Sequence, residues 1–311
     1  MEKKQNEQLI GIFAGAIAYV IWGILPMYWK LAEQVPAGEI LAYRILWSFV
    51  FMVFLITILR KTQEVWAEIQ AVLKNPRTAI LITLAALLIT VNWFTFIFTV
   101  NSGHVTEASL GYYINPLVNV LIAMIFLKER LTRAEIVAVL LAFVGVLILS
   151  IHGGSIPYAA LIMAVSFSLY GLIKKYVPVS TYTGLTLETV IIAPFALIYL
   201  LFFAENFFMS FDLKTDLVMA GAGIVTAIPL LLFATAAKKI SYTMVGFLQY
   251  IGPTLMFILG VLVYQESFDH TELIAFLFIW AAILTFTFAH ILIARKNKQL
   301  ENAAKHIKAN S

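Results

Sequence analysis

Ten runs of mostly apolar residues follow one another through the 311-residue chain, at 9–29, 39–59, 78–99, 106–127, 133–151, 156–174, 183–204, 216–236, 242–264 and 272–293. Each is close to the roughly 20 residues a helix needs to cross the hydrocarbon of a bilayer. In hydrocarbon every backbone N–H and C=O must be paired within the protein, so spanning segments are helices or closed barrels. Barrel strands alternate polar and apolar over about 10 residues, whereas these runs are continuous and longer. The fold class is therefore all-α, an integral membrane protein of ten transmembrane helices. Composition agrees: 62% of the residues are hydrophobic and 12% charged, against about 45–50% and about 25% in soluble domains. The first run does not read as a cleaved signal, because Trp22, Gly23 and Pro26 interrupt it and no small-residue cleavage site follows. The absence of cysteine excludes disulfides, thiolate metal sites and cysteine nucleophiles.

The basic residues orient the spans. With the N-terminus inside, the inner segments hold Lys3 and Lys4; Arg60, Lys61, Lys74 and Arg77; Lys128, Arg130 and Arg133; Lys174 and Lys175; Lys238 and Lys239; and Arg295, Lys296, Lys298, Lys305 and Lys308. These are eighteen of the 21 lysines and arginines, while the outer segments hold Lys214 alone and Lys30 and Arg44 lie at or within spans. Such a bias is the positive-inside pattern. It predicts a multi-pass protein of the cell (inner or plasma) membrane with cytoplasmic N- and C-termini. It also accounts for the net charge of +4, so no nucleic-acid partner is expected. Residues 60–77 place Val65, Trp66, Ile69, Val72 and Leu73 on one helical face and read as a short helix on the inner membrane surface. The polar tail, 296–311, reads as a solvated cytoplasmic segment or as an amphipathic helix on anionic lipid.

Sliding the sequence against itself by 137 residues aligns the fourth and ninth spans without a gap. Tyr113-Ile114-Asn115-Pro116 lies over Tyr250-Ile251-Gly252-Pro253, Thr106 over Thr243, Glu129 over Glu266 and Glu135 over Glu272. The same offset carries Asn92 of the third span onto Pro229 of the eighth. Residues 9–151 and 156–295 are expected to be two five-helix repeats, and an odd helix number inverts the second in the membrane. Inverted repeats whose helices are broken by Pro or Gly point to alternating access around a midplane site. Pro116 leaves the carbonyl of Tyr112 without its usual donor, and Pro253 does the same to Gln249. Facing lipid, such carbonyls are costly. Pro116, Pro253 and Pro229, the last in VTAIPLLLF, are expected to face protein or a watery cavity; kinks adopted for packing alone are the alternative.

The two five-helix halves, the YINP/YIGP pair with its downstream glutamates, and the run GIVTAIPLLLFATAAKKISYTMVGFLQYIGPT resemble the EamA family of the drug/metabolite transporter superfamily. EILAYRILWS and LETVIIAP are similar to its RarD subfamily of chloramphenicol-sensitivity permeases. The resemblance covers residues 9–295 and implies two EamA-like repeats in a ten-helix inner-membrane transporter of small metabolites, an exporter.

Ionisable residues inside spans cost about 2.5–3.5 kcal/mol each at a helix centre and are functional candidates by default. Arg44 lies five residues into the second span from its outer end. It must snorkel, pair, or line an outward vestibule that attracts anionic groups. Glu107 enters the fourth span from the same side, as a partner for Arg44 or as a carboxylate at a helix N-terminus. Glu188 lies about six residues from the inner end of the seventh span, opposite Tyr43 in the aligned halves, with no cation nearby in its own span. A carboxylate that takes up and releases a proton there would give proton coupling; one bonded to a neighbouring helix would be structural. The path candidates are Arg44, Asn92, Tyr113, Asn115, Glu188, Gln249 and Tyr250, and the repeat picks out Tyr113 and Tyr250 in particular. Asn119 and Thr226 lie equally deep, and any of these neutral groups also serves as interhelical glue. With Trp93, Tyr112 and Tyr170 beside them, an aromatic cavity would suit flat or amphipathic solutes.

Glu129 and Glu266 read as helix-end residues that tie connections together. His104, His152 and His290 share no common face. There is no HExxH and no P-loop, so no metal, cofactor or catalytic residue is expected. Ala138, Ala142 and Gly145 permit close packing of the fifth span, within the chain or in a homodimer. The residues read best as a secondary transporter of small organic solutes. An intramembrane enzyme would need paired carboxylates or a nucleophile with its base, and a channel a filter-like segment.

Overall fold

The computed structural model describes residues 2–101, 105–152, 157–206, 208–263, 265 and 269–309, with side chains described within 6–99, 109–152, 157–206, 208–263, 265 and 269–293. The described residues form twelve α-helices joined by short turns: α1 (Glu2–Trp29), α2 (Ala37–Ile58), α3 (Thr62–Lys74), α4 (Pro76–Asn101), α5 (Val105–Phe126), α6 (Arg133–His152), α7 (Tyr158–Tyr176), α8 (Thr181–Phe202), α9 (Leu213–Lys239), α10 (Tyr242–Gln249), α11 (Ile251–Leu262) and α12 (His270–Ala309). Ten segments among them are long and apolar enough to cross a membrane, with α10 and α11 together forming the ninth. Large apolar side chains such as Phe54, Ile80, Phe94, Phe195 and Phe288 project outward. In water that surface would aggregate; in lipid it is the solvated one.

With ten such segments in succession, the start of the first and the end of the tenth lie on one face of the bundle, called here the terminal face; the other is the distal face. The most extensive contacts between helices pair up under exchange of the two halves. α1 packs on α9 and α11, as α7 packs on α4 and α5; α2 packs on α9, as α8 packs on α4; α2 meets α8, α5 meets α10, and α6 meets α12. Small residues set the closest of these contacts. A Cβ on Gly223 of α9 would collide with the backbone of Trp47 and Ser48, so α2 and α9 touch main chain to main chain. Ala138 and Ala142 are fully buried, and a Cβ on Gly145 would come within 2.7 Å of the Ala275 carbonyl. That stripe is therefore taken up by α12 of the same chain and offers no free surface to a second copy.

The ninth span, expected as one helix, is interrupted at Tyr250, whose N–H bonds the Phe247 carbonyl three residues back. Pro253 withholds the donor that Gln249 would need, and Gly252 beside it is a poor helix former. In α5 the corresponding Pro116 follows Asn115 and the helix runs through. Pro116, Pro229 and Pro253 are all buried in protein.

Within residues 60–77, Thr62–Lys74 form α3, but its apolar residues divide between two faces. Val65 and Val72 are buried and Ile69 packs against the core, while Trp66 and Leu73 are exposed. The backbone of α12 stays helical through the tail to Ala309.

Candidate functional site

Between the two halves lies a cavity of about 990 Å³, mouth included. Its walls come from residues 19–29 of α1, Arg44 of α2, Asn92, Trp93 and Phe96 of α4, Gly111, Tyr112 and Asn115 of α5, Met163 and Phe167 of α7, and the α10–α11 break from Gln249 to Met256. All but the break belong to the distal ends or halves of their helices, so the cavity lies toward the distal face. The break in the ninth span is what exposes Gln249, Gly252 and Pro253 to it.

Arg44 is the one formally charged group among the described lining residues. Its Nε donates to Thr226 Oγ1 at 3.1 Å, and its guanidinium carbon sits 5.0 Å from the ring centroid of Trp29 and 4.7 Å from that of Trp93. Among the described residues no carboxylate reaches it; the Glu107 side chain lies outside them. Asn92 Nδ2 donates to the Met163 carbonyl at 2.8 Å. Asn115 Oδ1 accepts from Ser168 Oγ at 3.1 Å, and Gln249 Oε1 accepts from Asn119 Nδ2 at 2.9 Å. These bonds hold three amides in place at the wall.

Four of the seven path candidates therefore line the cavity: Arg44, Asn92, Asn115 and Gln249. Tyr113 and Tyr250, the pair singled out by the repeat, do not. Tyr113 stacks edge-on against Phe276 and its hydroxyl donates to the Pro253 carbonyl at 3.3 Å. Tyr250 is 1% exposed and packs against Phe247. Both lie behind the wall, packed against neighbouring aromatic residues. Trp22, Trp29 and Phe167, which the sequence did not distinguish from packing aromatics, are in the wall instead.

Below the cavity toward the terminal face, Tyr19, Trp22, Phe167, Tyr170 and Phe233 form a continuous aromatic floor with centroid spacings from 5.0 Å. Glu188 lies under this floor rather than in the cavity, and it is bonded to a neighbouring helix, one of the two alternatives the sequence left open. Lys174 Nζ contacts its Oε1 at 2.6 Å and the Tyr170 hydroxyl donates to its Oε2 at 3.1 Å. Lys174 and Glu188 are each 4% exposed, so this is a buried ion pair. The partner was hidden because it comes from α7, and Lys174 reads in sequence as one more flanking charge. Lys175 Nζ reaches the carbonyls of Ala237 and Ile240 at 2.9 and 2.6 Å. Lys238 Nζ reaches those of Val177 and Val179. The α7–α8 turn and the end of α9 are thereby laced together beneath the floor.

Carboxylates complete that face. Glu129 accepts from the N–H of Tyr242 at 2.7 Å and from the N–H and hydroxyl of Thr243 at 3.0 and 2.7 Å, capping α10. This is the connection-tying role expected of it; its repeat mate Glu266 lies outside the described residues, as does His104. Glu68 of α3 accepts from the Ser180 N–H and hydroxyl and from the Thr183 hydroxyl at the start of α8. Burial pushes the Glu68 carboxyl up, but the hydrogen bonds from Thr183 and Ser180 outweigh it and hold the group below the usual carboxylate range.

Residues 9–151 and 155–288 match the EamA-like transporter family. An uncharacterized transporter of Bacillus subtilis, YojE, is 47% identical over 93% of this chain and 97% of its own. Protein RarD of Escherichia coli is 42% identical over 96% of this chain and 100% of that protein. The chloramphenicol-sensitive protein RarD of Pseudomonas aeruginosa is 26% identical over 88% and 92%. A solved crystal structure with 20% sequence identity superimposes with a TM-score of 0.70 over 90% of this chain and 98% of its own, which shows the common fold. Ten apolar helices around a cavity, with this likeness along nearly the whole chain, make it a multi-pass membrane protein that belongs to the EamA-like transporter family, beside the RarD proteins of the drug/metabolite transporter superfamily.

Proposed function

We propose that the chain is a secondary transporter that exports small organic solutes by alternating access, with both ends in the cytoplasm and the cavity facing outward. The observation that carries this reading is the one-sided closure of the cavity. Its walls lie in the distal half of the bundle, while the aromatic floor and the lysine-laced turns seal the terminal half. A carrier needs one site reached from one face at a time, and a closed aromatic floor above a buried ion pair serves as the inner gate. The eighteen basic residues on the terminal side support its placement in the cytoplasm. Opening inward would part α7 and α8 from α9, breaking the contacts of Lys175 and Lys238. Glu188 is the carboxylate that proton coupling would use, and its exchange of partners would accompany that opening.

Counterflow of labelled solute in proteoliposomes, using solutes identified by comparing efflux from deletion and overexpressing cells, tests the assignment. Because the chain has no cysteine, Met256→Cys in the wall and Val179→Cys beneath the floor give clean reporters of access. An impermeant thiol reagent added outside is expected to label Met256→Cys, with protection by saturating solute, and to spare Val179→Cys. Labelling of both from outside at one rate, with flux that never saturates, is the behaviour of a continuous pore and would sink the carrier reading.

A further inference from the structure

Arg44 and Glu188 are each the eighth residue of equivalent helices, α2 and α8. The helix before α8 supplies Glu188 with its counterion, Lys174, at 2.6 Å. The helix before α2 supplies Arg44 with Trp29, a ring. One half of the molecule thus satisfies its buried charge internally. The other leaves a permanently protonated guanidinium facing a cavity in which no described lining residue is acidic. A guanidinium carries five N–H donors, of which Nε–H goes to Thr226 and the others meet no acceptor among the described residues. A charge with no carboxylate beside it among the described residues is costly in a low-dielectric site, and an anion delivered with the solute compensates it.

The remaining walls describe the rest of that solute. Trp22, Trp29, Trp93, Phe96, Tyr112 and Phe167 present ring faces and edges, surfaces that suit a flat apolar body. Asn115 has spent its Oδ1 on Ser168, and Gln249 its Oε1 on Asn119, so each keeps amide N–H donors for an oxygen of the solute. One cation balances one negative charge, and a second would find no further cation among the described lining residues.

We infer that the cavity takes flat, largely apolar monoanions, with the guanidinium of Arg44 on a carboxylate and the rings of Trp29 and Trp93 against the body. This deepens the carrier reading and rests on it for the word solute, while binding itself is measurable without transport. Tryptophans 29 and 93 line the cavity, so intrinsic fluorescence of the full chain in nanodiscs reports occupancy. The compounds are 3-phenylpropionate, its neutral amide 3-phenylpropanamide, and succinate. The carboxylate is expected to bind about tenfold or more tighter than the amide, the ratio of one charge-assisted hydrogen bond, and tighter than the dianion. Arg44→Gln is expected to abolish the preference for acid over amide with little change in melting temperature.

Equal binding of acid and amide by the wild-type chain overturns the inference and needs no variant. So does an acid preference that survives Arg44→Gln, or failure of the carboxylate to bind at millimolar concentration. Counterflow carried by neutral solutes alone would refute the anion assignment and leave the carrier standing. Selective binding of the acid without counterflow of any solute would do the reverse.

Discussion

A charge buried among helices is stable only with its partner, and Glu188 has one. Glu188 is enclosed by Lys174 and Tyr170, and removing one member of such a pair strands the other at a cost of about 3–5 kcal/mol, whereas replacing both with uncharged groups costs far less. Lys174→Met alone should therefore lower the thermal stability of the purified protein by about that amount. The double variant Lys174→Met with Glu188→Gln should recover most of the loss in the same melting assay. Equal melting temperatures for wild type and Lys174→Met would show that the pair holds nothing together. Glu188→Gln by itself, the natural test of proton coupling, also strands Lys174, so the pH response of flux is best read in the double variant. The identity of these partners was out of reach of the sequence: Lys174 stands at a helix end among other basic residues, and only the rotation of α7 turns it inward.

At the scale of elements, the molecule closes its terminal face with carboxylates at helix starts, where free N–H groups and the helix dipole favour negative charge. Glu129 caps α10 and Glu68 caps α8, each from another helix or turn. Two local capping boxes obey the repeat offset. Thr132 pairs with Glu135 at the start of α6, with Glu135 Oε2 taking the Thr132 N–H at 2.6 Å. Asp269 pairs with Glu272 at the start of α12, with Asp269 Oδ1 taking the Glu272 N–H at 2.8 Å. The repeat was visible in sequence because these starts need a carboxylate at a fixed place. Glu68 was not, since nothing in its own segment shows that α8 begins above it.

Its depressed pKa makes a pH prediction. A carboxyl whose folded pKa lies below its unfolded value of about 4.3 adds stability that is present above that value and lost as pH falls through the folded pKa. Glu68→Gln should cost about 0.5–2 kcal/mol at neutral pH, the range of a lost cap. The gap between the variant and the wild type should close as melts are taken toward pH 3. A gap that is unchanged or widens on acidification would show that Glu68 acts through packing rather than charge.

For the whole molecule, the charge bias predicts an orientation in the membrane. Reporter fusions at positions 102, 153, 210 and 268 are expected to report outside, and those at 62, 131, 178 and 239 inside, from the eighteen basic residues that lie on one side. A robust inversion at any one of the eight sites would overturn the orientation and the inverted arrangement of the halves with it. The most extensive helix contacts pair up under exchange of halves. The α6–α12 pair contributes no described residue to the cavity wall.

By itself the sequence determined the number of apolar spans, the charge bias, the 137-residue offset between matching segments and the burial of Pro116, Pro229 and Pro253. Each of these follows from something local: the length of an apolar run, the cost of moving a lysine across lipid, or a missing N–H that must face protein. The tertiary structure alone decided which polar groups meet. Arg44 finds Thr226 across 182 residues and Glu188 finds Lys174 across 14, while Tyr113 and Tyr250 fall behind the wall they were expected to form. The reason is that a helix apolar on every side carries almost no amphipathic signal. Its rotation about its own axis is set by where Gly223, Gly145 and their like let a neighbour approach, and that rotation chooses which side chains enter the cavity.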